Sequence, residues 1–192
     1  MVSDERKKLI MGLVLVFFMI SSVFGVLFFG FNTGGGEARD YGEYTFKPNQ
    51  NQWQVKIDGE KKLFYYHPLD IQHIEVPDDV ESSLLNAKMM YFTSDVNSEA
   101  KGAIASSIFI LSQTLNGRSI FPVTAFTTEN SFNVPIITCE NSTSSIPVVL
   151  MQPANSTTIS REGNCIIIEG SDVYSFEQIT ERLLYMYYGV IA

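Results

Sequence analysis

Residues 87–126 read AKMMYFTSDVNSEAKGAIASSIFILSQTLNGRSIFPVTAF, and this stretch decides the fold. It opens on Ala87 to Thr93, an apolar run of the length of a buried strand. Asn97 or Ser98 then offers a cap to a helix that carries Ala100, Ala103, Ile104, Ser107, Ile108, Leu111 and Leu115 on one stripe. Helical spacing stops at Asn116-Gly117, and Ser119 to Phe126 supplies the next strand. A crossover of this length usually joins parallel neighbours, so the stretch reads as a β-α-β unit.

Toward the N-terminus, Trp53-Gln54-Val55-Lys56-Ile57 alternates apolar and polar, Asp58-Gly59 supplies a hairpin turn, and Lys62 to Tyr66 returns. Ile71 to Val76 is a third candidate strand, ending at Pro77, and a short helix covers Asp78 to Leu85. Toward the C-terminus come three apolar runs, Val134 to Cys139, Ile146 to Met151 and Cys165 to Ile168, separated by loops rich in Asn, Ser and Thr. A closing helix runs from Val173 to Val190, started near Ser171-Asp172, with Phe176, Ile179, Leu183, Met186, Tyr187 and Val190 on its apolar face. Leu183 to Tyr188 is apolar nearly all round. Such a helix either lies deep between layers or leaves Tyr185 and Tyr188 exposed as a protein-contact patch. The sum is an α/β or α+β domain with a mixed sheet and a C-terminal helix, arranged in layers.

Before this domain the chain carries a different kind of segment. Leu9 to Phe31 is 23 residues without a charge. As a helix it would span about 34 Å, slightly more than a hydrocarbon core of roughly 30 Å. Arg6, Lys7 and Lys8 abut its start, so the positive-inside rule places residues 1–8 in the cytoplasm and the domain outside. The stretch is too long for the apolar region of a signal peptide and lacks a small-residue cleavage site at its end. The expected organisation is a cytoplasmic N-terminus (1–8), a transmembrane helix (9–31), a flexible tether (32–40) and an extracytoplasmic α/β domain (41–192) in a single-pass protein of the cell membrane.

Thr138-Cys139-Glu140-Asn141, Asn164-Cys165-Ile166-Ile167-Ile168 and the closing Leu183-Leu184-Tyr185 with Gly189 nearby resemble a group of uncharacterised archaeal single-pass membrane-anchored proteins. The resemblance covers the region from the Met89 strand to the C-terminus. It implies the architecture and carries no chemistry.

Charge excludes one class of function. The chain is −8 overall and residues 1–8 sum to +1, so the part beyond the apolar stretch carries −9. Nucleic-acid binding needs clustered Lys and Arg and is set aside. No Gly-rich phosphate loop is present, and no cofactor is expected.

Few residues carry chemistry. Cys139 and Cys165 are the only cysteines. Outside the cytoplasm such a pair most often becomes a disulfide, the alternatives being two inert thiols or one nucleophile. A nucleophile needs a base, and only His67 and His73 are available. With Asp70 and Glu75 these histidines sketch a metal site, but the spacing fits no established motif and polar edge residues are the plainer reading. Asn141 and Asn155 head N-glycosylation sequons in loop-like stretches. If the central unit is parallel, a ligand would gather at the carboxyl edge of the sheet, where Ser94, Asp95, Asn97 and Ser98 meet Thr127, Thr128, Glu129 and Asn130. Capping alone also explains Ser, Asp and Asn before a helix.

The sequence therefore points first to a non-enzymatic membrane-anchored interaction domain or accessory subunit of an envelope assembly, whose partner is another membrane or envelope protein. The alternative is a module binding a small ligand at the Ser94–Ser98 and Thr127–Asn130 edge. A hydrolase using Asp95 or a Cys–His pair stands third.

Overall fold

The computed structural model describes residues 11–19 and 36–191. The first of these segments is helical (α1, residues 11–19) and exposed. The cytoplasmic N-terminus, most of the expected span and residues 32–35 of the tether lie outside the described residues. Among the described residues no helix is long and apolar enough to cross a membrane.

The ordered domain starts at β1 (Arg39–Tyr41), two residues inside the expected tether, and continues through β2 (Tyr44–Asn49), β3 (Gln52–Ile57) and β4 (Glu60–Phe64). These form a four-stranded antiparallel sheet in chain order. The β3–β4 connection is the expected Asp58-Gly59 turn: both residues have positive φ, 51° and 84°, as the tight hairpin requires. β1 and β2 are additions to the sequence reading.

The next segment departs from expectation. Ile71 to Val76 is not a strand; residues Pro68–Ile71 form one helical turn, α2. The reason is local. His67 caps the turn by accepting the Leu69 N–H, Asp70 reaches back to the His67 N–H, and Pro68 sits in the first turn, where its missing N–H costs nothing. α3 follows at Asp78–Asn86.

The β-α-β unit is present: β5 (Met89–Ser94), α4 (Lys101–Asn116) and β6 (Phe121–Phe126), with β5 and β6 parallel. Ile104, Ser107, Ile108, Leu111 and Leu115 of the expected stripe are buried. The helix starts at Lys101, and its cap position is Ala100 rather than Asn97 or Ser98. The remaining elements are a 3-10 turn at Cys139–Asn141, β7 (Val148–Pro153), β8 (Thr158–Glu162), β9 (Cys165–Gly170) and α5 (Val173–Tyr187). The expected Val134–Cys139 strand reduces to a single bridge between Ile136 and Phe126. The second sheet has the order β6-β5-β7-β9-β8, parallel except for β8 at its edge. The chain is thus α/β, with one antiparallel and one mixed sheet and a C-terminal helix.

α5 holds the two sheets together. On one side Phe176 rests against Gly170 of β9 so closely that a Cβ there would lie 2.7 Å from the ring. On the other, the Tyr185 ring stacks on Phe64 of the first sheet, centroids 4.2 Å apart, and meets Phe46 edge-on. Burial on both sides explains why the helix is apolar nearly all round. Tyr185 is fully buried and Tyr188 half-buried, so of the two readings of this segment the helix follows burial between layers and not the tyrosine contact patch.

Candidate functional site

The carboxyl edge of the second sheet brings together the two expected segments, though in a different role for most of their residues. The Thr127 N–H donates to the Ser94 carbonyl, joining the ends of β5 and β6. Asp95 accepts the Asn97 N–H at 2.9 Å and Ser98 Oγ accepts the Ala100 N–H at 3.2 Å. Asn130 staples its own loop by accepting the Phe132 and Val134 N–H groups and donating to the Val134 carbonyl. Thr128 and Glu129 are exposed. Asp95, Ser98 and Asn130 therefore shape turns.

Ser94 is the exception. On β5 the side chains of Met90 and Phe92 enter the core under the helices, and alternation puts Ser94 on that same face. Its register partner Phe126, and Thr124 opposite Phe92, share the face on β6. β6 is the edge strand of this sheet, and α4 packs beside it. Between them lies a groove of about 500 Å³. Ser94, Thr124 and Phe126 make its floor, α4 gives Lys101, Gly102, Ala105, Ile108, Phe109 and Ser112 as one wall, and Val96 and Phe132 complete the lining. Phe132 packs against Phe126 with ring centroids 5.9 Å apart. Phe109 and Phe132 are nonetheless about two-thirds exposed, at 62% and 65%.

The groove is apolar with a few polar groups, as small-molecule sites are. Ser94 is 5% exposed, and among the described residues no hydrogen bond falls on its hydroxyl. The outer edge of β6 offers little to a pairing strand. Pro122 lacks an N–H, and Phe126 already exchanges backbone bonds with Pro135 and Ile137. Contact in the groove would thus be made by side chains and apolar surface.

Other candidates are committed elsewhere. A larger crevice, about 880 Å³, lies at the amino ends of the strands, but its Arg161 already donates to the Gly163 and Asp79 carbonyls and to Asn164. His67 is fully buried among Tyr41, Phe46 and Trp53 and spends Nδ1 on its cap. Nε2 makes no hydrogen bond of ordinary geometry, although the Arg39 backbone lies near enough to favour the protonated ring. Burial outweighs this and lowers the His67 pKa. Among the described residues no three His, Cys, Asp or Glu side chains are grouped to hold a metal, so the His67–Asp70–His73–Glu75 sketch is not assembled.

Cys139 and Cys165 are joined, with S–S 2.03 Å, which ties the 3-10 turn to the start of β9 and leaves neither thiol free. Asn141 and Asn155 are both exposed; Asn141 Oδ1 accepts the Thr138 N–H, whereas no such bond falls on Asn155 among the described residues.

A buried polar cluster that the sequence did not announce lies on α5. The Glu181 carboxylate accepts the N–H groups of Tyr65 and Tyr66 at 2.7 and 2.8 Å, Arg182 Nε donates to the Ile74 carbonyl, and the Tyr185 hydroxyl donates to the Tyr66 carbonyl at 2.7 Å. Burial pushes the Glu181 pKa up to about 7 against the opposing pull of the two N–H groups, and nearby Glu177 adds to the rise. These bonds satisfy the irregular backbone between the two sheets, which makes the cluster a clasp.

No protein-family model, curated protein or solved structure matches the chain. The chemistry of the groove is accordingly argued from its own residues.

Proposed function

We propose that this chain is a membrane-anchored extracytoplasmic module that binds an apolar ligand in the groove between α4 and β6. The observation that carries the reading is the groove itself: an apolar trough along α4 and the edge strand β6, lined with a few polar groups as ligand sites are. Anchoring is supported by the uncharged Leu9–Phe31 stretch behind Arg6-Lys7-Lys8, and an oxidising compartment by the paired cysteines.

A second reading has its own support. Phe109 and Phe132 stand well out of the surface beside the groove, as contact residues of an interaction subunit would. The burial of Tyr185 removes one of the supports of that reading, the tyrosine patch, so it takes second place. The hydrolase reading has lost its thiol nucleophile to the disulfide and is not pursued.

Native mass spectrometry of the full-length protein, gently extracted from its own membranes, separates the two. A protomer carrying a small non-covalent apolar adduct is the expected result. A stoichiometric second protein, with no adduct, would replace ligand binding by the interaction subunit.

A further inference from the structure

The groove carries its one charged residue at one end, and this gives it a direction. From Lys101 to Ser112 the α4 wall runs roughly 16 Å at the helical rise per residue. The middle of that length is Ala105, Ile108 and Phe109, without a charge. At the upper end three features converge. The Ser94 hydroxyl is unpartnered among the described residues, in a residue only 5% exposed that lines the groove, Lys101 is the one charged residue in the lining, and the first turn of α4 has no side-chain cap and no acidic residue. A helix start leaves N–H groups without intrahelical partners and favours negative charge. Gly102, in that first turn, has open space where a Cβ would be. Two carboxylates stand nearby, Asp95 and Glu99; both are exposed, neither lines the groove, and Asp95 is occupied by the Asn97 N–H.

We infer that the groove takes a single-chain amphiphile with an anionic head, of the fatty-acyl carboxylate type. The head lies between Lys101, Ser94 Oγ and the α4 N-terminus, and the chain lies along Ala105, Ile108 and Phe109 against Phe126. The inference rests on the ligand-binding reading above and names its ligand. A narrow apolar trough of this length suits one linear chain better than a ring system. The anionic head supplies the acceptor that the Ser94 hydroxyl lacks, and a charge-assisted bond to Lys101 adds selectivity.

The test uses the full-length protein in phosphatidylcholine nanodiscs with two matched photoreactive probes, a long-chain fatty acid and the corresponding fatty alcohol, each with a diazirine on its chain. Irradiation is followed by peptide mapping. The acid is expected to label the segment 102–118. Lys101→Gln is expected to weaken acid labelling about tenfold, the loss of one charge-assisted bond, and to leave the alcohol unchanged. Ala105→Trp, a surface substitution that fills the trough, is expected to abolish labelling of this segment by both probes. Equal labelling by acid and alcohol, insensitive to Lys101→Gln but lost in Ala105→Trp, would overturn the anionic head and leave the apolar groove standing. Absence of label from 102–118 with either probe, or labelling indifferent to Ala105→Trp, would overturn both.

Discussion

Ser94 and Phe126 stand side by side at the carboxyl ends of β5 and β6, register partners on parallel strands that face the same groove. One carries a hydroxyl that makes no hydrogen bond among the described residues and opens onto the groove, the other an aromatic ring on its flank. The hydroxyl opens onto the groove, so its removal leaves no buried partner without a hydrogen bond. Ser94→Ala is therefore expected to change stability by less than about 0.5 kcal/mol, while weakening acid-probe labelling several-fold. Thermal melts alongside the labelling assay check this. A clear loss of stability would mean that Ser94 has a structural role.

The Glu181 clasp makes stability depend on pH in a stated direction. Its carboxyl pKa is raised in the fold to about 7 from 4.5. Its contribution is therefore fully present below the unfolded value and is lost as pH rises through the folded one, about 3 kcal/mol in all. His67 works the other way. Its pKa is lowered, so its contribution is present above the ordinary histidine value and is lost as pH falls below it. Denaturant melts of Glu181→Gln at pH 5 and pH 8 should show a flatter profile than the wild type, with the difference confined to that window. An unchanged slope would mean that Glu181 does not titrate there.

Tyr185 tests the junction between the sheets separately from its packing. Tyr185→Phe keeps the ring on Phe64 and removes only the hydroxyl that donates to the Tyr66 carbonyl. A loss of about 1–2 kcal/mol is expected, since a largely buried carbonyl is left without its donor. Hydrogen exchange should localise the effect to residues 65–74 rather than to the second sheet.

The disulfide stabilises a face that carries no helix. With a sequence separation of 26 between Cys139 and Cys165, the chain-entropy model gives about 3.5 kcal/mol, and the Cys139→Ser/Cys165→Ser double variant should lose a comparable amount in denaturant melts. Melts that are unchanged by the double substitution would show that the bond adds nothing to stability.

What could be read from the sequence was what periodicity encodes. The stripe from Ile104 to Leu115 and the face from Phe176 to Val190 follow helical spacing, and the length of the crossover between Met89 and Phe126 implied parallel strands. The first two strands were not legible, because Arg39–Tyr41 and Tyr44–Asn49 are short and largely polar and take their order from pairing with each other and with β3. The Ile71–Val76 misreading came from weighing apolar content over the cap formed by His67 and Asp70 around Pro68. For the site, Ser94 was legible as an edge residue, but the apolar groove was not. Its walls come from residues as far apart as Ala105 and Phe132. One signal was present: Phe109 is a large apolar residue off the buried stripe of its own helix. Exposed aromatics of that kind are worth following when they border a sheet edge.

The central claim is that an acyl chain lies against α4 in the groove, and Ile108 is the residue placed to report it. Ile108 lines the groove, whereas Ile179 is buried in α5 away from it. Methyl NMR of the full-length protein in deuterated-lipid nanodiscs, titrated with a protonated long-chain fatty acid, is the direct measurement. The account predicts a saturating shift of the Ile108 methyl, with intermolecular contacts to the acyl chain and no change at Ile179. An Ile108 methyl that stays in place and shows no contact to the acid at saturating probe would contradict it.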